Sequence, residues 1–174
     1  MAPEQGFRYS MPLEVYLQAA LVRGILTTNQ DRLSNFLIVR EGEEVFSLNQ
    51  ASFETFDQTP VSLAADEYLV YMREVYLIAD LSVAGESPTS TMRSLYVQKE
   101  QSKAVLGVGP YLLQGNIHLR PGTAIHELLM EKTQFLPVTG AMLIERPEVA
   151  PRTYLVNRAK IGFMSAISDG LVEL

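Results

Sequence analysis

Two histidines, His118 and His126, are the side chains best suited to chemistry, because imidazole binds transition metals and exchanges protons near neutral pH. Glu127 and Glu131 follow closely, and a carboxylate beside an imidazole is common in metal sites and in acid–base pairs. His126 and Glu127, however, are adjacent on a predicted helix and therefore point in different directions. Because no third ligand or orienting partner completes the set, we predict neither a metal site nor a catalytic site here.

Other patterns that could support catalysis are incomplete as well. Gly107-x-Gly109 lacks the third glycine and the following helix that a phosphate-binding loop requires, so it predicts a turn or a strand bulge. No serine lies in the Gly-x-Ser-x-Gly pattern of a hydrolase nucleophile. Paired acidic residues such as Glu43 and Glu44 lie in polar segments, where solvated charge is the ordinary explanation. We therefore expect a protein that is not an enzyme and that uses no cofactor.

The composition is that of a globular chain, with 47% apolar and 20% charged residues. No run of apolar residues is long enough to predict a membrane-spanning helix, and residues 1–11 lack the features of a secretory signal. The absence of cysteine excludes disulfides and thiolate metal sites, and it fits a reducing compartment. We expect a cytoplasmic protein that makes no membrane contact.

Charge is divided unevenly along the chain. Residues 1–87 contain five basic and thirteen acidic side chains, a balance of −8, whereas residues 88–174 contain nine basic and seven acidic ones, a balance of +2. Neither half has the dense stripe of Lys and Arg that is typical of a strong nucleic-acid binder. The asymmetry indicates either drift on solvated surfaces, or halves that face different partners or associate head to tail.

The chain repeats itself. Tyr68-Leu69-Val70 recurs as Tyr154-Leu155-Val156 at an offset of 86 residues, and Leu21-Val22-Arg23-Gly24 corresponds to Leu112-Leu113-Gln114-Gly115 at an offset of 91. Further matched pairs are Leu33 with Ile125, Leu48 with Val138, Ala51 with Ala141, and Ile78 with Met164. Because the matches keep the same order and the offset changes only between blocks, the sequence predicts an internal duplication with insertions in loops.

The duplication decides between helix and strand. Residues 12–24 have apolar positions at helical spacing, but the matching residues 104–115 contain Gly107, Gly109 and Pro110, which a helix interior tolerates poorly. We therefore predict strands in both copies. A short helix should follow, over residues 32–39 and 124–132, with Asp31 and Thr123 as its N-caps.

Each copy is predicted to be a small β-barrel, mainly β with one short helix. The first module covers residues 12–82 and the second covers residues 93–168, and residues 83–92 form a linker rich in small and turn-forming residues. Closure into a barrel removes the exposed strand edges that an open sheet would leave. A single sandwich in which the copies exchange strands remains an alternative.

A resemblance supports the barrel interpretation. Gly24-x-Leu26 with Asp31-x-x-Ser34-Asn35-Phe36-Leu37 resembles the first signature of Sm-like barrels, and residues 155–161 resemble the second, which has a basic residue in its turn. Residues 32–37 and 134–141 also resemble motifs of a bacterial family of small proteins of unknown function. The Sm resemblance implies that both modules are barrels of the Sm or SH3 kind, and it implies a nucleotide pocket. The binding residues that it implies are Asp31, Asn35, Arg73 and Arg158.

The two copies differ within this implied pocket, because Glu127 stands where the first copy has Asn35. A carboxylate beside a phosphate path disfavours RNA binding by the second copy. Aromatic residues in the predicted strands are expected at interfaces: Tyr68, Tyr71, Tyr76, Tyr154 and Phe163. Methionines are expected to fill the core: Met72, Met130, Met142 and Met164.

These observations favour a non-catalytic binding or assembly module in the cytoplasm, which oligomerises through its strand edges. Its expected partner is another protein or a second copy of itself. The alternative is an Sm-like RNA-binding protein that uses the four residues named above. An enzyme that depends on His118 or His126 is the third class.

Overall fold

A computed structural model describes residues 9–56, 59–82 and 100–167. These residues are mainly β, with 58% in strands and 14% in helices, which confirms the predicted class. The predicted linker, residues 83–92, lies outside the described residues, as do residues 93–99 at the start of the second module and residue 168 at its end. No helix among the described residues is long and apolar enough to cross a membrane.

The same order of elements occurs twice. The first copy contains β1 (Tyr9–Tyr16), β2 (Ala20–Thr28), α1 (Leu33–Val39), β3 (Val45–Thr55), β4 (Ser62–Tyr71), a 3-10 helix (Met72–Glu74) and β5 (Leu77–Asp80). The second contains β6 (Glu100–Val108), β7 (Tyr111–Leu119), α2 (Ile125–Met130), β8 (Phe135–Leu143), β9 (Arg152–Asn157), a 3-10 helix (Arg158–Lys160) and β10 (Ile161–Ala166). The strands predicted from the glycines of the second copy are present in both.

The ten strands form one antiparallel sheet in the order β10-β6-β7-β8-β9-β5-β1-β2-β3-β4. Two separate closed barrels were expected, and the structure instead shows an open sheet. Closing each copy on itself would require β4 to pair with β5 and β9 to pair with β10. Strand β9 pairs with β5 of the other copy, so the backbone groups that closure would need are used between the copies. Strands β4 and β10 are the two ends of the sheet.

Two equivalent glycines show how closely the copies correspond. A Cβ atom at Gly24 would lie 2.9 Å from the Cβ of Ala51, and one at Gly115 would lie 2.5 Å from the Cβ of Ala141. Both distances are too short for a side chain, so strands β2 and β7 must have glycine at the irregular points of their pairing with β3 and β8. The sequence offsets of 91 for the glycines and 90 for the alanines therefore match equivalent positions in the fold.

The helices are shorter than predicted, and their N-caps are Arg32 and Ala124 instead of Asp31 and Thr123. In the second copy the side chain of Glu127 accepts a hydrogen bond from the backbone amide of Ala124 at 3.2 Å. This carboxylate satisfies an amide at the helix start that the expected threonine would have left unpaired.

Candidate functional site

The junction between the two copies is a short antiparallel ladder of β5 and β9. Its paired residues are Leu77 with Val156, Ile78 with Leu155, and Ala79 with Tyr154. Neighbouring side chains on a strand point to opposite faces of a sheet. Each strand of the ladder therefore supplies side chains to both faces, and two hydrophobic cores lie there.

Each core takes side chains from both copies. The core of the first copy includes Phe135 and Leu155 from the second copy. The core of the second copy includes four residues of the first, which are Tyr16, Leu21, Leu77 and Ala79. All four are at most 1% exposed. Because each core is completed by the other copy, separating the copies would expose apolar surface on both sides of the junction.

A buried asparagine secures one end of this ladder. Asn157 is 1% exposed, and its side-chain Nδ2 donates a hydrogen bond to the carbonyl of Val75 at 2.8 Å. Its backbone amide donates to the carbonyl of Tyr76 at 3.0 Å. Both acceptors belong to the first copy, so the asparagine fixes the register in which β9 meets the first copy.

An acidic residue, Glu14, lies buried beside the junction and is 7% exposed. Its carboxylate accepts hydrogen bonds from Arg23 Nε at 3.0 Å, from Arg152 Nη1 at 3.0 Å and from the Tyr16 hydroxyl at 2.8 Å. Arg23 also reaches Glu54 at 3.0 Å. Because Arg152 belongs to the second copy, this cluster is an electrostatic bond between the copies. Sequence reasoning missed it, although an acid within the otherwise apolar residues 11–16 of β1 was a usable signal.

Buried tyrosines surround the Glu14 cluster. The ring of Tyr16 meets Tyr111 edge to face at 5.5 Å between centroids, and Tyr154 at 5.8 Å. Tyr111 donates its hydroxyl hydrogen bond to the carbonyl of Leu17. Burial raises the pKa of Tyr16 and Tyr111, and also that of Tyr154. Within the described part of the chain, the hydroxyl of Tyr154 makes no hydrogen bond of acceptable geometry.

A cleft of about 270 Å³ lies between α1 and the second copy, and Arg158 is one of its lining residues. The Arg158 side chain is 8% exposed. It donates to the carbonyls of Thr133, at 2.7 Å, and of Leu128, and it pairs with Glu131 Oε2 at 2.9 Å. Burial lowers the pKa of Arg158 and Glu131 opposes that shift. The guanidinium therefore anchors the C-terminal end of α2.

The other three residues of the implied nucleotide pocket make their polar contacts with different groups from those that Arg158 binds. Asn35 Nδ2 donates to Asp31 Oδ1 at 3.0 Å on the exposed side of α1. Arg73 pairs with Glu74 at 3.3 Å, and its guanidinium lies 5.1 Å from the ring centroid of Tyr71. The structure thus joins Asp31 to Asn35, and no hydrogen bond or ion pair among the described residues joins that pair to either arginine.

The histidines have ordinary surroundings. His118 Nε2 lies 2.8 Å from the Thr139 hydroxyl, and His126 is exposed in the first turn of α2. Across residues 9–56, 59–82 and 100–167, no group of three or more His, Cys, Asp or Glu side chains could hold a metal ion.

The open edges of the sheet carry exposed apolar side chains. Leu69 on β4 is 65% exposed and Phe163 on β10 is 55% exposed. Their counterparts at the offset of 86, Leu155 and Leu77, are 6% and 0% exposed within the junction. The duplication identified these pairs in the sequence. Each pair has one buried and one exposed residue because one strand lies inside the sheet and the other lies at its edge. Two of the methionines expected in the core are also exposed, Met130 and Met142.

No family model, curated protein or solved structure matches this chain. The geometry of the junction, the cleft and the open edges therefore carries the functional conclusion.

Proposed function

We propose that the protein is a non-catalytic assembly module that binds a protein partner by strand pairing at the open edges of its sheet. Strand addition to a sheet edge gives affinity through backbone hydrogen bonds and specificity through side chains on alternate positions. Both features are present in the junction of β5 and β9, where one copy binds the other. The cytoplasmic location that the cysteine-free sequence favours belongs to the same proposal.

The contrast between Leu69 and Leu155 is the observation that carries this proposal. The two leucines occupy equivalent places, on β4 and β9, but Leu155 has a paired strand on each side, β8 and β5, whereas Leu69 has only β3 on one side. Burying a leucine side chain stabilises by roughly 1.5–3 kcal/mol. An exposed edge strand is also a hazard for aggregation, and natural proteins usually protect such edges with charge, proline or bulges. A partner that covers the edge accounts for the exposed leucine.

The alternative of RNA binding has less support. Arg158, the basic residue expected to meet the nucleotide, directs its donors to the carbonyls of Leu128 and Thr133 and to Glu131. The β4 edge beside Leu69 carries Asp66 and Glu67, both exposed, which would repel a phosphate backbone.

The test is affinity capture from cell extract with the full chain as bait, in three matched variants. Leu69→Lys and Phe163→Lys place a charge on each open edge. Val39→Lys is the control, because Val39 is also 65% exposed but lies on α1 and not on an edge strand. We expect the wild type and Val39→Lys to retain the same partner, and each edge variant to lose it. Equal retention by all four proteins would contradict the proposal.

A further inference from the structure

We propose that the partner at these edges is a second copy of this chain, and that β4 of one molecule pairs antiparallel with β10 of the next, head to tail. This inference rests on the proposed function and names its partner. It follows from the duplication, because the junction inside the chain already joins a strand of the β4 type to a strand of the β10 type. Strand β9 is the counterpart of β4, and β5 is the counterpart of β10.

The counterparts can be assigned residue by residue from the neighbouring ladders. Tyr154 of β9 lies opposite Val138, and Tyr68 of β4 lies opposite Leu48. In the same way, Ile78 of β5 lies opposite Val15, and Met164 of β10 lies opposite Leu106. All four partner residues are 0% exposed core residues. The two edges of the chain therefore have the same internal support as the two strands of the junction.

The register of the intermolecular ladder follows directly. The junction pairs Leu77 with Val156, Ile78 with Leu155, and Ala79 with Tyr154. Transferred to the open edges, these pairs become Phe163 with Val70, Met164 with Leu69, and Ser165 with Tyr68 of the neighbouring molecule. Both strands are antiparallel in the internal ladder, so the transferred ladder is antiparallel as well.

Side chains beyond the ladder support the same arrangement. In the junction, Leu155 and Phe135 complete a core to which α1 contributes Leu37, itself 6% exposed. The counterpart of Leu37 on α2 is Leu129, which is 38% exposed, and the next residue, Met130, is 81% exposed. Leu69 of a neighbouring molecule would meet this uncovered face of α2 as Leu155 meets α1. The exposed apolar side chains of both ends are thus complementary parts of one contact.

The charges favour unlike ends over like ends. Pairing β4 with β4 would bring Asp66 and Glu67 of two molecules onto one short ladder, and like charges opposite each other destabilise a sheet. Strand β10 has no charged residue. Residues 1–87, which include β4, have a net charge of −8, and residues 88–174, which include β10, have a net charge of +2. Head-to-tail contact therefore also reduces long-range repulsion.

A contact between unlike ends leaves one edge of each type unpaired at the ends of the assembly. Association therefore continues beyond a dimer until the assembly closes on itself. Each contact between molecules then has the same strand pairing as the junction inside the chain. Closure would also remove the last exposed strand edges, which the open sheet of a single chain leaves uncovered.

The first experiment tests the register by disulfide cross-linking, for which a chain without cysteine offers a clean background. Residues opposite each other on antiparallel strands have Cβ atoms close enough for a disulfide. Leu69→Cys and Met164→Cys are prepared as separate proteins and as a double variant. We expect a mixture of the single variants to form a cross-linked dimer, and the double variant to form a ladder of higher species. Cross-linking of Leu69→Cys with itself would indicate pairing of like ends and would overturn the inference.

The second experiment measures the mass of the full chain by light scattering over a range of concentrations. We expect wild type and Val39→Lys to form species larger than a dimer, and Leu69→Lys to raise the dissociation constant roughly 100-fold, as loss of a central apolar contact does. Phe163→Lys should behave alike. The Phe163 ring lies over Gly107, so the folding of Phe163→Lys is checked by circular dichroism. If Phe163→Lys proves to be unfolded, the result for Leu69→Lys alone decides the test.

A wild-type chain that is monomeric at every soluble concentration would overturn the inference. The capture experiment then separates the two proposals. If the wild type captures a different protein from the extract and Leu69→Lys does not, strand-edge binding stands and only the identity of the partner is wrong. If capture is unchanged as well, both proposals fail.

Discussion

Replacing Glu14 with Gln tests whether the two copies are held together electrostatically. The change keeps the shape of the side chain and removes the charge that Arg23 and Arg152 share. The Glu14 side chain is 10% exposed, compared with 25% for Arg152 and 38% for Arg23. Arg23 keeps Glu54 as an ion-pair partner, whereas Glu14 is the one acidic partner of Arg152 among the described residues.

The magnitude follows from these contacts. A hydrogen bond to a charged group contributes about 1.5–3 kcal/mol, and Glu14 accepts two from arginine. Both arginines are partly exposed, so water replaces part of what is lost. We expect the free energy of unfolding to fall by about 2–3 kcal/mol. For a chain of this length the melting temperature should fall by about 2–4 °C for each kcal/mol.

The assay is urea denaturation of Glu14→Gln, Arg152→Gln and the double variant. Residues in direct contact should show a coupling free energy of at least about 1 kcal/mol in this cycle. Arg146→Gln is the control, since its partner Glu148 is 64% exposed and solvent screens an exposed ion pair of this kind, so the substitution should change stability little. If Glu14→Gln is as stable as wild type, or if the two substitutions are additive, the cluster does not join the copies.

Three further predictions concern the buried polar groups around the junction. Tyr154→Phe should leave the free energy of unfolding unchanged or raise it by about 1 kcal/mol, because the Tyr154 hydroxyl has no hydrogen-bonding partner among the described residues. Tyr16→Phe should lower it by about 1 kcal/mol, because the Tyr16 hydroxyl donates to Glu14. Urea denaturation compares the two variants. Burial raises the pKa of both phenols, so the unfolded chain releases their protons first as pH rises through about 10. Stability should therefore fall above about pH 10 in wild type, and less steeply in Tyr16→Phe. Arg158→Ala should destabilise α2 by about 2–3 kcal/mol and speed its amide hydrogen exchange, because it frees the carbonyl of Leu128 and the carboxylate of Glu131.

The sequence predicted the strands well where the two copies constrained each other. Residues 12–24 could be a helix by apolar spacing alone, and Gly107, Gly109 and Pro110 in the matching segment excluded that. Gly109 does form the turn between β6 and β7, with a φ of +58° that favours glycine. Backbone restrictions act locally, so a sequence reports them directly.

The closure of each copy could not be predicted in this way. The continuous apolar run Tyr154-Leu155-Val156 on β9 indicates that both faces of the strand are covered, but it does not say which strand pairs with it. Leu155 and Leu69 have the same neighbours in sequence, Tyr before and Val after, and opposite exposure. Pairing with β5 is a long-range choice between equivalent edges, which the local pattern does not contain.

The candidate site shows the same division. A basic residue in the turn after β9 was correctly located, because Arg158 begins the 3-10 helix there. Its role depends on Leu128, Thr133 and Glu131, which are 25 to 30 residues away in sequence and meet it through the packing of α2. Residue type predicts which groups a side chain can bind, and tertiary contacts decide which of those groups it does bind.

The divergence of the two copies also determines which of the two junctions is the stronger. Glu14 and Arg23 correspond to Val105 and Gln114 in the second copy, and β4 contains no basic residue, so the ladder of β4 with β10 has no counterpart of the Glu14 cluster. A buried charge is tolerable where its partner is always present, as it is inside one chain. The six residues that would pair in the ladder of β4 with β10 are uncharged, so neither edge has an unpaired charge to bury there on contact. The junction inside the chain should therefore be permanent and the contact between chains reversible, so that subunits exchange while the two copies stay joined.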